Sequence, residues 1–211
     1  MRRLYWLPAI LAALASCEEL TEPTVEVSPQ VSFSREGEED SDLQFVEFSS
    51  STPPATRDTS FWAVKGENRE LIVYFWAPPG GERPDKLLEF RVPGDALLRR
   101  PDGTRFSRGD SIEIFLHIDE ERFELDFEPS GLTFDRRRPA ELRLSYHFAD
   151  PDLNGDGVVD RADQDTERRL LLWKQEAGES TWTAVVTNLS SGDDKLRANI
   201  TGFTRFALAS N

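Results

Sequence analysis

Ser111-Ile112-Glu113-Ile114-Phe115-Leu116-His117-Ile118 places Ile112, Ile114, Leu116 and Ile118 at every second position. Side chains of an extended strand point alternately to opposite faces, so a period of two marks a strand with one face on a core. Outward from this stretch the same spacing recurs at 69–76, 86–92, 122–128, 140–148, 169–174, 181–188, 195–201 and 203–209. Turn-forming residues separate the runs: Pro78-Pro79-Gly80-Gly81, Pro101-Asp102-Gly103, Pro129-Ser130-Gly131 and Ser191-Gly192-Asp193. Parallel strands need long crossovers, and no intervening segment is long enough for one. The expected class is therefore all-β, an antiparallel β-sandwich with one inserted loop and at most one short helix, near 163–169. Trp62, Trp76, Trp173 and Trp182, with Phe90, Phe115, Phe127, Phe134 and Phe206, are expected to fill its core rather than to form a stacking surface.

One stretch carries recognisable chemistry. Asp152-Leu153-Asn154-Gly155-Asp156-Gly157-Val158-Val159-Asp160-Arg161-Ala162-Asp163 sets oxygen-bearing side chains at loop positions 1, 3, 5, 9 and 12, with glycine at position 6. This is the spacing with which an EF-hand-type loop wraps calcium. Asp152, Asn154, Asp156, Asp160 and Asp163 would supply side-chain oxygens, and Val158 its carbonyl. Val159 is expected to point inward as an apolar clasp. Asparagine at position 3 and aspartate at position 12 resemble bacterial dockerin loops. Aspartate closes a site less tightly than a bidentate glutamate, so the expected affinity is about 10⁻⁴ to 10⁻³ M. Unoccupied, four crowded carboxylates would repel one another. The preceding run reads as a strand, so no helix enters the loop. A structural clip is expected rather than a sensor, which opens through paired helices.

The amino-terminal stretch reads as an address. Arg2 and Arg3 precede an apolar run from Leu4 to Ala13, too short to span a bilayer as a helix. Leu14-Ala15-Ser16-Cys17 then resembles a bacterial lipobox, which implies cleavage before Cys17 and acylation of that residue. Glu18 in place of aspartate favours the outer membrane of the cell envelope. Cys17 is the one cysteine of the 211 residues, so no intrachain disulfide exists. The expected organisation is a signal peptide over 1–16, the lipidated Cys17 with an acidic, Ser/Pro-rich tether over 17–58, and the sandwich over 59–211 with its loop at 150–168. Within the tether, 43–48 is apolar enough for a short strand pairing with the body edge. The formal charge of −14 becomes −16 once the two arginines leave with the signal. A surface this acidic repels nucleic acid and favours cations or basic partners.

Three stretches, Leu88–Leu97, Phe127–Phe134 and Pro139–Tyr146, resemble the β-sandwich domain shared by ankyrins, netrin receptors and a tight-junction scaffold protein. Bacterial relatives of that domain tend to end in a segment similar to Ile200–Ala209. The resemblance covers 61–210 and implies a binding or scaffolding fold without catalytic residues; the calcium-type loop departs from it and reads as an insertion. His117 and His147 show no zinc-ligand spacing, Ser130 lacks an esterase elbow, and no glycine-rich phosphate loop occurs. The expected function is a non-catalytic, calcium-binding interaction module held to the membrane through Cys17, with an unidentified protein or glycan partner. The alternative is a carbohydrate-binding or hydrolase accessory domain, recognisable by exposed tryptophan beside paired carboxylates.

Overall fold

The computed structural model describes residues 31–33, 39–40, 43–80 and 84–211. The signal peptide, Cys17 and the first part of the tether lie outside the described residues. Two antiparallel sheets form the body. The first runs β1 (Val31–Phe33), β14 (Thr187–Ser190), β15 (Lys195–Ile200), β11 (Ala140–Ser145), β6 (Lys86–Val92), β5 (Arg69–Tyr74). The second runs β2 (Glu39–Asp40), β13 (Trp182–Ala184), β12 (Leu171–Gln175), β16 (Arg205–Ser210), β9 (Glu124–Glu128), β8 (Ser111–Ile118), β4 (Asp58–Val64), and β3 (Gln44–Phe45) also pairs with β16. A small ribbon of β7 (Leu97–Arg99) and β10 (Thr133–Phe134) stands apart from both. The expected antiparallel sandwich is thus observed, and β6 and β8 have the bounds that the alternation predicts.

The inner faces meet in one contiguous core. Ile114, Leu116 and Ile118 of β8 are buried while Glu113, Phe115 and His117 alternate outward. At its centre Phe127 stacks on Phe203 at 5.0 Å and lies 4.9 Å from Phe90 of the opposite sheet. The expectation that all nine named aromatics are core is only partly met. Phe90, Phe127, Phe134, Phe206, Trp173 and Trp182 are buried, whereas Trp62, Phe115 and Trp76 are 56%, 50% and 49% exposed. Trp62 and Phe115 occupy the odd, outward phase of their strands, and pleat geometry overrides their apolar character.

A second cluster lies on the outer face of the second sheet. Trp173, Trp182, Ala184, Ala207 and Ala209 are buried there, with Leu43 and Phe45 packed against them. The alanines leave room for the Trp173 indole, whose Nε1 donates to the Ala209 carbonyl at 3.1 Å. This cover explains why β16 is buried on both faces.

The expected single strand at 181–188 is two strands in different sheets. Val185 crosses between them, its N–H donating to Leu172 O at 2.9 Å, while the Thr187 hydroxyl donates to Val185 O and accepts from Leu172 N. Consecutive buried residues at Ala184 and Val185 mark the change of phase. The expected tether is also shorter than 17–58. Gln44 and Phe45 pair with Ser210 and Ala209, and Val46 and Phe48 are buried in the main core. Phe48 lies 3.9 Å from the Phe123 ring. The body therefore includes the chain from Leu43 onward, and β1 and β2 before it add edge strands to the two sheets.

Candidate metal loop

The loop sits where the chain leaves β11 of one sheet and returns as β12 of the other, an insertion between strands as the sequence implies. Its base is braced by the amino-terminal segment: Ser49 N–H donates to Phe148 O, and Asp150 N–H donates to Glu47 O, both at 2.9 Å. Leu153 packs on the core and anchors the near side.

Within the loop, side chains organise the backbone. Asp152 Oδ1 accepts from Asp156 N–H at 3.1 Å and its Oδ2 from Gly157 N–H at 2.7 Å. Asn154 Oδ1 accepts from Asp156 N–H at 2.9 Å, and Asp156 Oδ1 from Val158 N–H at 2.8 Å. Gly157 has φ +86° and Gly155 φ +71°, the left-handed region that a side chain disfavours, and these two residues make the sharp turns. The position-6 glycine thus has the turning role that the spacing assigned to it.

The far side of the loop becomes α1 (Arg161–Glu167), which starts two residues before the expected helix. A capping box sets that start: Asp160 Oδ1 accepts from Ala162 N–H at 2.6 Å, and Asp163 Oδ2 accepts from Asp160 N–H at 2.7 Å. Asp163 Oδ1 also accepts from Asn154 N–H at 3.2 Å, so position 12 reaches back to position 3 and closes the loop. The Asp160 N–H holds the Asp163 carboxyl below its usual range; desolvation opposes this, and further backbone donors including Asn154 support it.

The crowding expected of four carboxylates is relieved by these donors, because each carboxylate accepts at least one N–H from the loop itself. Among the described residues no three His, Cys, Asp or Glu side chains converge as metal ligands. Val159 is 62% exposed and not the inward clasp expected at position 8; Leu153 at position 2 provides the apolar anchor instead. The donor chemistry still suits a hard cation, with five oxygen-bearing side chains and the Val158 carbonyl on one closed turn.

The two histidines do not meet. His117 Nδ1 lies 2.7 Å from Asp58 Oδ1 on the second sheet, and His147 Nδ1 lies 2.6 Å from Asp194 Oδ2 just past the end of β11 in the first. Tyr146 donates its hydroxyl to Glu167 Oε1 at 3.0 Å and ties α1 to the end of β11, a contact that no local pattern of residues marks. Compared with known proteins, the chain matches no family model, no curated protein sequence and no solved structure.

Proposed function

We propose that this chain is a non-catalytic lipoprotein of the bacterial cell envelope, anchored through Cys17, whose β-sandwich binds calcium at 152–163 and serves as an interaction module. One observation supports the calcium reading: Asp163 accepts from Asn154 N–H while Asp152 accepts from Asp156 and Gly157 N–H, so the carboxylates of positions 1 and 12 fold the backbone of positions 3, 5 and 6 into one closed turn. Calcium would be held by Asp152, Asn154, Asp156, Asp160, Asp163 and the Val158 carbonyl, and would supply charge neutralisation to that turn. The braces from Glu47 and Ser49 then connect a stiffened loop to the segment leading towards the anchor. The resemblance to the ankyrin and netrin-receptor sandwich supports an interaction role, and the net charge of −14 argues against nucleic acid as the partner.

Calcium titration of the full-length protein tests this reading. With a dissociation constant of about 10⁻⁴ to 10⁻³ M, roughly 5 mM calcium adds about 1–2 kcal/mol of stability over an EDTA control. Asp152→Ala/Asp156→Ala abolishes both that gain and the binding heat. Melting curves indifferent to EDTA would remove calcium from the proposal. The anchor is tested separately: Cys17→Ser is expected to move the protein from the detergent-extracted membrane fraction to the soluble one, and membrane retention of that variant refutes acylation at Cys17.

A carbohydrate-binding reading is favoured by one further observation. Exposed Trp62 and Phe115 are diagonal neighbours on the outer face of β4 and β8, beside a shallow groove of about 460 Å³ lined by Asp58, Ser60, His117, Asp126 and Glu128. Flat aromatic faces flanked by hydroxyl acceptors suit a sugar ring. Trp62→Ala is expected to abolish retardation in polysaccharide-containing native gels while changing stability by no more than about 0.5 kcal/mol. Wild-type protein that migrates unretarded through neutral and acidic polysaccharides counts against this reading.

A further inference from the structure

The outer face of the first sheet carries an arrangement that fold stability does not explain. In the β11–β15 ladder Arg143 stands directly opposite Arg197. Like charges facing each other across an antiparallel pair are destabilising. This chain has 39 acidic residues against 25 basic ones, so a cation pair on facing positions stands against its overall balance. Lys195, two residues before Arg197 on the same strand, extends the cationic group.

Glu89 stands opposite Arg143 across the β6–β11 ladder, but it is shared among three cations. Glu89 accepts from Lys86 Nζ at 3.1 Å and from Arg91 Nη2 at 3.4 Å. Desolvation disfavours its ionised form, yet Lys86, Arg91 and Arg143 together hold its carboxyl below the usual range. The closest carboxylate to Arg143 is Glu141 on its own strand, at 3.7 Å, and Arg143 Nε is buried without a hydrogen-bond partner. Among the described residues no ion pair or hydrogen bond engages the side chain of Lys195 or Arg197. These groups line one groove of about 480 Å³, with Lys86 and Glu89 on its β6 side and Asp85 and Asp193 at its rim. That volume is of the size that holds small ligands.

We propose that this groove binds a soluble phosphate ester, its phosphate seated among Arg143, Arg197 and Lys195. Two guanidinium forks and an ammonium present more charge and more donors than the two oxygens of one carboxylate satisfy, whereas a phosphate dianion offers oxygens to all three. The rim carboxylates Asp85 and Asp193 suit the hydroxyls of the esterified sugar or polyol. Together with the overall negative charge they repel an anionic bilayer, which sets a soluble ester above a lipid headgroup as the ligand.

The test uses full-length protein in calcium-free buffer at fixed ionic strength, titrated with inorganic phosphate, with glucose 6-phosphate and with chloride as control. Saturable heat is expected with both phosphates, stronger with the ester, and none with chloride. Arg197→Gln and Arg143→Gln each weaken binding at least tenfold, while the phosphate-free thermal midpoint of Arg197→Gln equals or exceeds that of wild type because the facing charges are gone. Arg197→Lys, which keeps the charge and loses the fork, falls between. Binding that survives Arg197→Gln, absence of saturation in wild type, or preferential capture by vesicles of anionic phospholipid would each overturn the proposal.

Discussion

Phe127→Ala is expected to lower stability by about 3–5 kcal/mol, the range for removing a large aromatic from a packed core. The Phe127 ring is fully buried between the sheets, with Phe90 at 4.9 Å, Phe203 at 5.0 Å and Phe206 at 6.0 Å. Its loss leaves a void bounded by three other rings carried by β6, by β16 and by the turn between β15 and β16, so the space cannot close by a single local shift. Domains of this kind have only about 5–15 kcal/mol of stability in total, and the variant should therefore be marginal. Urea unfolding measures the effect, with an unchanged slope showing that the folded state is otherwise retained. Phe115→Ala supplies the contrast. Phe115 faces Glu128 across the β8–β9 ladder that also carries Phe127, but it points outward and is half exposed, so its truncation should move stability by no more than about 0.5 kcal/mol. Equal costs at the two positions would contradict the assignment of inner and outer faces.

The second large effect concerns the junction between tether and body. Phe48→Ala is expected to cost about 3–5 kcal/mol, because Phe48 is buried against Phe123 at 3.9 Å and Phe75 at 6.5 Å. A chain begun at residue 59, the boundary that composition suggests, lacks the β3 pairing with β16, the side chains of Val46 and Phe48, and the backbone bonds from Glu47 and Ser49 to the loop base. Such a truncation should show no dispersed amide spectrum, while the full-length protein folds. A folded truncation would show that these contacts are dispensable. The same contacts bear on the loop: Asp150 N–H loses its acceptor when Glu47 is absent, so the base of the 152–163 turn loosens together with the core.

Residues 43–48 pair with the body edge as their own apolar character implies, although the composition around them places them inside the tether. Glu, Ser and Pro dominate the stretches on either side, and averaged composition assigns the whole segment to a tether. Burial, however, is decided by single residues. Val46 and Phe48 fill space beneath strands that lie far away in sequence, and two such side chains offset the ordering of the short run that carries them. Val159 fails for a related reason. A loop position inherited from a spacing pattern has no inward direction until a neighbouring surface exists to receive it, and Leu153 meets that surface instead.

The chain by itself determined the class, because alternation is a local property: each strand records in its own residues which side faces apolar surroundings. It determined the turns too, since Gly155 and Gly157 adopt backbone angles that few other residues accept, and Asp160 and Asp163 cap α1 through groups three residues apart. Only the tertiary structure decided which strands are neighbours. That Arg143 faces Arg197, that Trp62 and Phe115 lie together on an outer face, and that 181–188 divides between two sheets all follow from long-range pairing. Pairing is set by how whole faces pack and by where the chain crosses between sheets, and no local pattern encodes it.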